Sequence, residues 1–145
     1  VSKIESPLSA FEQLDQFKMF LFDTGLLKHL AGIENSAILL KSDYQFKGQL
    51  AENYVLQQML GQFDTPLRYY SASHSELDFL VQFNGGIIPI EVKAGGDKSA
   101  PSFKRYITDK QPAYALRFSK REYRTDGLIT NFPLYLANRT KDLLE

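Results

Sequence analysis

The stretch Glu76-Leu-Asp-Phe-Leu-Val-Gln-Phe83, followed by Asn84-Gly85-Gly86 and Ile87-Ile-Pro-Ile-Glu-Val-Lys93, predicts a β-hairpin. Its first half alternates at the strand period of two, with Leu77, Phe79, Val81 and Phe83 on one face and Asp78, Leu80 and Gln82 on the other. We therefore expect an apolar face against the core and an opposite face that carries a carboxylate.

The turn Asn84-Gly85 sets the register of this hairpin. Asn-Gly is the strongest two-residue hairpin signal, because both central positions of a type I′ turn need a positive φ. The turn pairs Phe83 with Gly86, and the same register sets Asp78 directly opposite Glu91.

A turn at Gly85-Gly86 would shift the pairing but keep Asp78, Glu91 and Lys93 on one face, whereas a three-residue loop would not. Two carboxylates opposite each other repel, so the arrangement requires a compensating cation, either Lys93 or a metal ion. The alternative is an exposed strand pair with a cross-strand salt bridge between Glu76 and Lys93, which spacing alone favours.

A helix over residues 47–62 precedes the hairpin. At 100° per residue its apolar stripe contains Ala51, Val55, Leu56, Met59 and Leu60. Glu52 falls near the middle of that stripe, and burying an unpaired carboxylate costs several kcal/mol. Glu52 should therefore reach water or meet a cation, a hydrogen-bond donor or a metal. The ordinary alternative is a salt bridge at the helix edge.

Glu52, Asp78 and Glu91, together with the amine of Lys93, are therefore able to converge. Carboxylate oxygens are the ligands that Mg²⁺ and Mn²⁺ prefer. Such a metal polarises a phosphoryl oxygen and lowers the pKa of bound water. Lys93 would orient the attacking water or neutralise developing negative charge.

The remaining elements are predicted by shorter patterns. Residues 1–35 are predicted to form a lead-in segment, of which residues 1–16 are expected to be peripheral. Residues 18–22 are predicted to form a buried strand. Residues 33–46 show little pattern. Asp23-Thr24 offers the N-cap of a helix over residues 25–31 that Gly32 ends. We further predict strands at 67–72, 113–118 and 128–130, a helix at 101–110 and a last amphipathic helix that opens at Pro133.

Composition indicates one compact domain over residues 1–145. The chain has 43% hydrophobic residues and no cysteine, which excludes disulfides and thiolate metal sites and favours a cytoplasmic location. No apolar run approaches the length of a membrane span and no basic-then-apolar leader opens the chain, so we expect a protein that is soluble and has no membrane partner.

Charge is unevenly distributed although the formal net charge is zero. Residues 1–92 hold 6 basic and 11 acidic side chains, residues 93–124 hold 9 and 3, and residues 125–145 hold 2 and 3. A basic block after a carboxylate cluster suits a polymer of phosphates, for which Lys98, Lys104 and Arg105 are the candidate contacts. The alternative is a solvated charged surface.

The segment Gly95-Gly-Asp-Lys-Ser99 lies between a strand and a helix but lacks the glycine spacing of a phosphate loop, so we predict no nucleotide site. His29 is expected on the surface near the end of its helix, and His74 is expected in an exposed turn. Neither histidine is assigned a chemical role.

The residues Asp78 and Glu91-Val-Lys93, preceded by Glu52 on a helix, resemble the PD-(D/E)xK nuclease superfamily. Four strings in order narrow the resemblance: Phe17-Lys-Met-Phe-Leu-Phe-Asp-Thr-Gly-Leu-Leu27, Gly48-Gln-Leu-Ala-Glu-Asn-Tyr-Val55, Glu76-Leu-Asp-Phe79 and Phe132-Pro-Leu-Tyr-Leu136. Together they are similar to the uncharacterised domain that follows an ATPase and winged-helix region in predicted prokaryotic AAA+ ATPases. The likeness covers residues 4 to 138.

This resemblance implies an α/β fold with a restriction-endonuclease-like core in residues 47–138, in which helices flank a mixed central β-sheet. It also implies Mg²⁺- or Mn²⁺-dependent hydrolysis of phosphodiesters. Asp78 and Glu91 would be metal ligands with the Val92 carbonyl, Glu52 would complete the shell and Lys93 would assist the water. The motif's proline is replaced by Leu77. The ATPase module of the same protein would be a partner.

Three functions follow as hypotheses. The first is a metal-dependent nuclease acting on DNA. The second is a non-catalytic nuclease-fold module that binds DNA or protein and regulates the attached ATPase. The third is a structural element through which the ATPase forms a homo-oligomer.

Overall fold

A computed structural model describes residues 1–39, 46–72, 74–95 and 100–145. Its α-helices are α1 (Thr24–Leu30), α2 (Asn35–Leu39), α3 (Lys47–Met59) and α4 (Pro101–Lys110). Its strands are β1 (Arg68–Ala72), β2 (Ser75–Phe83), β3 (Gly86–Lys93), β4 (Ala115–Ser119), β5 (Arg124–Asp126) and β6 (Ile129–Pro133). Short 3₁₀-helices at Leu8–Phe11 and Leu134–Arg139 lie near the two ends of the chain.

The six strands form one mixed sheet in the order β1-β2-β3-β4-β6-β5. The pairs β1–β2, β2–β3 and β5–β6 are antiparallel, whereas β3–β4 and β4–β6 are parallel. The parallel β3–β4 pair needs a crossover, which α4 provides. The α/β class and the mixed sheet flanked by helices are therefore confirmed.

The predicted hairpin turn is confirmed. Asn84 and Gly85 have φ values of 47° and 77°, as a type I′ turn requires. Phe83 pairs with Gly86, and the ladder continues to the pair Phe79–Ile90.

Two apolar clusters lie on opposite faces of the sheet. On one face α3 buries Ala51, Val55 and Met59 against a cluster that includes Phe79 and Ile90. On the other face α4 buries Phe103 and Ile107 against a cluster that includes Leu77 and Leu80. The sheet is therefore covered on both sides, and β2 has no purely polar face.

Helices α1 and α4 form close to the predicted residues. The carboxylate of Asp23 accepts a hydrogen bond of 2.7 Å from the Leu26 amide, and Gly32, at φ 66°, follows the end of α1. Pro101 opens α4, on which Lys104, Arg105 and Lys110 are exposed.

Residues 18–22 were predicted as a buried strand, and this prediction was wrong. The segment is extended but pairs with no strand among the described residues, and the side chains of Met19 and Phe22 are 83% and 88% exposed. The Leu21 amide and carbonyl bond to the Asn53 side chain of α3 instead, at 2.8 and 3.1 Å.

The structure differs from the sequence analysis at several further places. Residues 1–16 are not peripheral, because Val1 and Leu8 are buried in the α4-side cluster. Leu60 follows the end of α3 and is exposed. The residues from 33 to 46, which showed little pattern, contain α2. The closing helix is a 3₁₀-helix, and the short edge strand β5 was not predicted.

No helix among the described residues is both long and apolar enough to cross a bilayer.

Candidate functional site

An irregularity in β2 determines where Asp78 lies. Arg68 pairs with Leu80 and Tyr70 with Leu77, so two steps along β1 match three along β2. The extra residue is a β-bulge, which reverses the inward and outward alternation of a strand. Leu77 and Phe79 consequently belong to clusters on opposite faces, which corrects the prediction that they share one.

The bulge also releases the Asp78 side chain from the ladder. The β2–β3 register ends at Phe79–Ile90, one residue before Asp78 would pair with Glu91. The Asp78 Oδ2 atom instead accepts a hydrogen bond of 2.7 Å from the Val92 amide. The carboxylate is thereby held between two strands at the point where their pairing stops.

Glu91 and Lys93 share a face of β3, as predicted, and their side chains form an ion pair. Glu91 is buried, with 5% of its surface exposed, whereas Lys93 is half-buried. Arg117, the neighbour of Glu91 on β4, contributes a second positive charge. The predicted alternative of a Glu76–Lys93 salt bridge is not among the described ion pairs.

Glu52 is partly buried on α3, whereas Ala51, Val55 and Met59 of the stripe are buried. Its Oε2 atom lies 3.7 Å from the Nζ atom of Lys18, so it meets a cation, one of the possibilities that the sequence left open. The same ammonium lies 2.6 Å from the Oε1 atom of Glu76. Lys18 therefore joins a carboxylate of α3 to a carboxylate of β2.

Lys18 is the site residue that sequence reasoning missed. It reaches the cluster from the extended segment before α1, and that segment is tied to α3 by Asn53, which is only 1% exposed. A lysine within the apolar run of residues 17–22 was the available signal, since an isolated cation there should turn toward an acid.

Burial raises the pKa of three carboxyls in this cluster. For Glu52 and Glu91 the negative charge of Asp78 adds to the effect of burial. For Asp78 burial outweighs the opposing hydrogen bond from Val92 and the charges of Lys18 and Lys93. The negative charge of Asp78 thus disfavours ionisation of both Glu52 and Glu91.

The pKa of Lys18 is also raised, which for an ammonium favours the charged form. Burial alone would lower the pKa of its ammonium, but the hydrogen bond to Glu76 and the charges of Glu52 and Asp78 raise it above the ordinary value. Lys18 thus remains charged at neutral pH. Lys18, Lys93 and Arg117 supply three positive charges, one fewer than the negative charges of Glu52, Glu76, Asp78 and Glu91 when all four are ionised.

The donor chemistry suits Mg²⁺ or Mn²⁺, since carboxylate oxygens and a negative excess are what hard divalent cations bind. Among the residues that the structure describes, no three or more His, Cys, Asp or Glu side chains are arranged to hold one ion. Glu52, Asp78 and Glu91 are thus electrostatic neighbours without forming a ready coordination shell.

The other predicted contacts are dispersed. Lys104 and Arg105 are exposed on α4, and Lys98 lies outside the described residues. His29 and His74 are exposed, as expected. A cavity of about 780 Å³ opens beside Lys18, Glu52 and Glu76, and apolar side chains line much of it.

Comparison with known protein families matches residues 47–136 to a domain of unknown function, DUF4143. The match covers 90 of the 145 residues. The chain belongs to the DUF4143 family. The region that defines this DUF4143 domain begins with α3 and ends in the closing 3₁₀-helix, so it contains Glu52, Asp78, Glu91 and Lys93 but not Lys18. No curated protein and no solved structure matches the chain.

Proposed function

We propose that this DUF4143 domain is a divalent-metal-dependent nuclease of the PD-(D/E)xK type that hydrolyses phosphodiester bonds in DNA. One observation carries the proposal: the Asp78 carboxylate is bonded to the Val92 amide beside the Glu91–Lys93 ion pair, and its charge acts on Glu52 of α3. A partly buried acid whose pKa is raised by burial is what a metal-binding or catalytic site retains.

Asp78, Glu91 and the Val92 carbonyl would hold Mg²⁺ or Mn²⁺, and Glu52 would complete the donor set. When bound, the metal supplies Lewis-acid activation of a phosphoryl oxygen and of water. The chain's own contributions follow from its contacts. The Val92 amide fixes the orientation of Asp78, and Lys93 offers its ammonium beside Glu91 to orient water or neutralise charge on the phosphate.

The order of the elements supports the restriction-endonuclease-like assignment. The helix that carries Glu52 precedes the hairpin that carries Asp78 and Glu91, as the resemblance implies. From the resemblance we further propose an AAA+ ATPase module of the same protein as the partner, and from the absence of cysteine we propose the cytoplasm as the location.

The test is cleavage of plasmid DNA and of single-stranded DNA with Mg²⁺ or Mn²⁺. The variants Asp78→Ala and Lys93→Ala should each lower the rate by at least about 100-fold. Lys110→Ala, an exposed lysine at the end of α4 that was assigned no contact, is the matched control and should retain the rate. Full activity in both site variants would show that the proposal is wrong.

A second candidate is a non-catalytic module that binds DNA or protein and regulates the ATPase. The ion pairs favour it, because Lys18 and Lys93 already neutralise part of the charge of Glu52, Glu76 and Glu91. Exposed apolar side chains also offer a protein-contact surface: Leu14, Phe17, Met19, Phe22 and Leu39. Such surfaces often mark interaction sites.

Calorimetry and DNA binding separate the two candidates. A non-catalytic module should bind DNA with an affinity that falls with salt, and it should show no turnover. A Mn²⁺ site that Asp78→Ala abolishes would count against it. Sedimentation of the isolated domain tests the homo-oligomer, which should form without either metal or DNA.

A further inference from the structure

Arg117 projects from the middle of β4 onto the face of the sheet that α4 covers. Its strand neighbours Leu116 and Phe118 belong to the α3-side cluster, so the side chain between them points to the other face. There its guanidinium carbon lies 6.0 Å from the centroid of the Phe103 ring. Glu91 is the residue beside Arg117 in the parallel β3–β4 register, and side chains in register on neighbouring strands share a face. The two residues therefore lie on the α4 side of the sheet, on strands about 4.8 Å apart.

One nitrogen of this guanidinium has no hydrogen-bond acceptor. The Nε atom of Arg117 is buried, and no atom of the described residues accepts a hydrogen bond from it. In the same part of the chain its side chain forms no ion pair. Burying a donor without an acceptor is unfavourable, more so when the group is charged, and such groups are rare in native proteins. An arginine in this state therefore calls for a reason other than stability.

Glu91 is the acid beside Arg117, and it already has a partner. Glu91 is 5% exposed and forms an ion pair with Lys93. The positive charge of Arg117 acts on the same carboxyl and opposes the rise in the pKa of Glu91 that burial causes. Two cations thus face one buried carboxylate, and of the two Lys93 alone is bonded to it. A guanidinium presents its donors in a planar fork that matches carboxylate oxygens, so Arg117 has the chemistry to take the place of Lys93.

The proposed function requires Lys93 to leave this ion pair. Its ammonium is assigned to water or to the phosphate, whereas in the structure it is bonded to Glu91. Removing one partner of a buried ion pair is strongly unfavourable, because the remaining charge is left uncompensated. A second cation beside Glu91 reduces that penalty. An arginine that bonds one Glu91 oxygen also leaves the other oxygen for a metal ion.

We infer that Arg117 is a positioning residue that takes over the Glu91 carboxylate when the Lys93 ammonium turns to the phosphate. The unbonded Nε atom of Arg117 is the donor that makes this exchange of partners possible. The exchange is a property of the three side chains alone, whereas its use in catalysis rests on the proposed function. A purely structural Arg117 would pack its stem against Phe103 and stabilise the fold equally with and without Lys93.

Thermal unfolding at pH 7 of Arg117→Met, Lys93→Met and the double variant tests the exchange. Methionine fills the space beside Phe103 but offers no donor. In the parent, Arg117→Met removes an unbonded charge and should lower the melting temperature by less than about 2 °C. In Lys93→Met, Arg117 is the cation left to Glu91, so its loss should lower the melting temperature by about 4 °C or more.

The difference between the Arg117→Met shifts in the two backgrounds decides the outcome. Equal shifts would overturn the exchange, as would an Arg117→Met variant that fails to fold with Lys93 present. Arg124→Met is the matched control, because Arg124 is an exposed arginine of the same sheet whose ion pair with Asp126 lies on the surface. It should shift the melting temperature equally in both backgrounds.

Hydrolysis of bis(p-nitrophenyl) phosphate with Mn²⁺ tests the use of the exchange in catalysis. Arg117 acts through Glu91 and Lys93, so Arg117→Met should lower kcat by about 10-fold and change KM by less than about 2-fold. Arg117→Lys keeps the cation and should recover kcat to within about 3-fold of the parent. A loss confined to KM would mean that Arg117 contacts the substrate, and an unchanged kcat would mean that Lys93 leaves Glu91 without help. Either result overturns the positioning role.

Failure of the inference is distinguishable from failure of the proposed function. A parent protein that hydrolyses no phosphodiester, but whose melting temperatures couple Arg117 to Lys93, supports the exchange and contradicts the nuclease. Hydrolysis by a parent whose two Arg117→Met shifts are equal overturns the exchange alone.

Discussion

The carboxylate of Asp78 accepts a 2.7 Å hydrogen bond from the Val92 amide, where the β2–β3 ladder ends. A side chain thus takes the place of a backbone partner at the divergence of two strands. The bond orients Asp78 toward the strand that carries Glu91 and Lys93, and it satisfies an amide that would otherwise be buried without an acceptor.

Asp78→Asn and Asp78→Ala separate the structural from the chemical role of this residue. Asparagine retains an oxygen acceptor for the Val92 amide, whereas alanine leaves it unbonded at a cost of about 1–3 kcal/mol. We expect both variants to lose phosphodiester hydrolysis and only the alanine variant to lose stability in urea unfolding. Hydrolysis that survives in Asp78→Asn would contradict a metal-ligand role.

Lys18→Met should strengthen divalent-metal binding. The Lys18 ammonium lies 3.7 Å from Glu52 and 2.6 Å from Glu76, so its removal raises the negative potential at the donor set. The loss of one such charge should raise Mn²⁺ affinity by about 10-fold in calorimetry. Lys104→Met is the control. A weaker Mn²⁺ site in Lys18→Met would mean that Lys18 helps to assemble the donors.

The hairpin was predictable because its determinants are local. Asn84-Gly85 specifies its turn chemically, and the alternation of the strand identifies the buried positions near that turn. The predicted face is wrong for Leu77, which lies on the far side of the bulge from the turn. The bulge depends on how β2 pairs with β1, so the hydrophobic pattern of β2 alone does not indicate it.

Lys18 and β5 were missed for a related reason. The partners of Lys18 are on α3 and β2, so its role depends on tertiary packing. Strand β5 has only 3 residues, all exposed, and it forms by pairing with β6. Glu52 was identified because a carboxylate on an apolar stripe conflicts with its own helix, and such a conflict is visible in sequence.

Stability should fall as the pH rises through the range in which the site acids ionise. Glu52, Asp78 and Glu91 have a raised pKa in the fold, so the folded state binds more protons than the unfolded chain above the ordinary carboxyl values. Asp78→Asn removes one charge and relieves the other two acids. Its melting temperature should exceed that of the parent at pH 7. Its free energy of unfolding should be larger by on the order of 1 kcal/mol.

That difference should shrink as the pH falls toward 4, near the ordinary carboxyl values, because the parent's acids then become neutral. Differential scanning fluorimetry of both proteins across this range gives the measurement. Glu34→Gln, an exposed acid beyond the end of α1, should show no such pH-dependent gain. A difference that grows toward low pH would contradict the raised pKa of the cluster.

Gly85→Ala and Gly48→Ala should have opposite effects on stability. Gly85 has φ 77°, which strains any residue with a Cβ atom, so alanine should cost about 1 kcal/mol. Gly48 lies in α3 with nothing within 4 Å of its Cβ position, so alanine there should gain about 0.5–1 kcal/mol. Urea unfolding measures both. Equal shifts would mean that the turn is not the type I′ turn described.

Asn53→Ala should loosen the segment that delivers Lys18. The Asn53 side chain accepts from the Leu21 amide at 2.8 Å and donates to the Leu21 carbonyl at 3.1 Å and to Thr24 Oγ1 at 3.0 Å. Its loss leaves buried groups unbonded and should cost about 2–4 kcal/mol. Limited proteolysis should then cut the segment before α1 faster than in Gln49→Ala, which alters an exposed position of the same helix. If the segment delivers Lys18, the Asn53→Ala variant should also gain Mn²⁺ affinity, as Lys18→Met does. A cut rate equal to that of Gln49→Ala would mean that other contacts hold the segment in place.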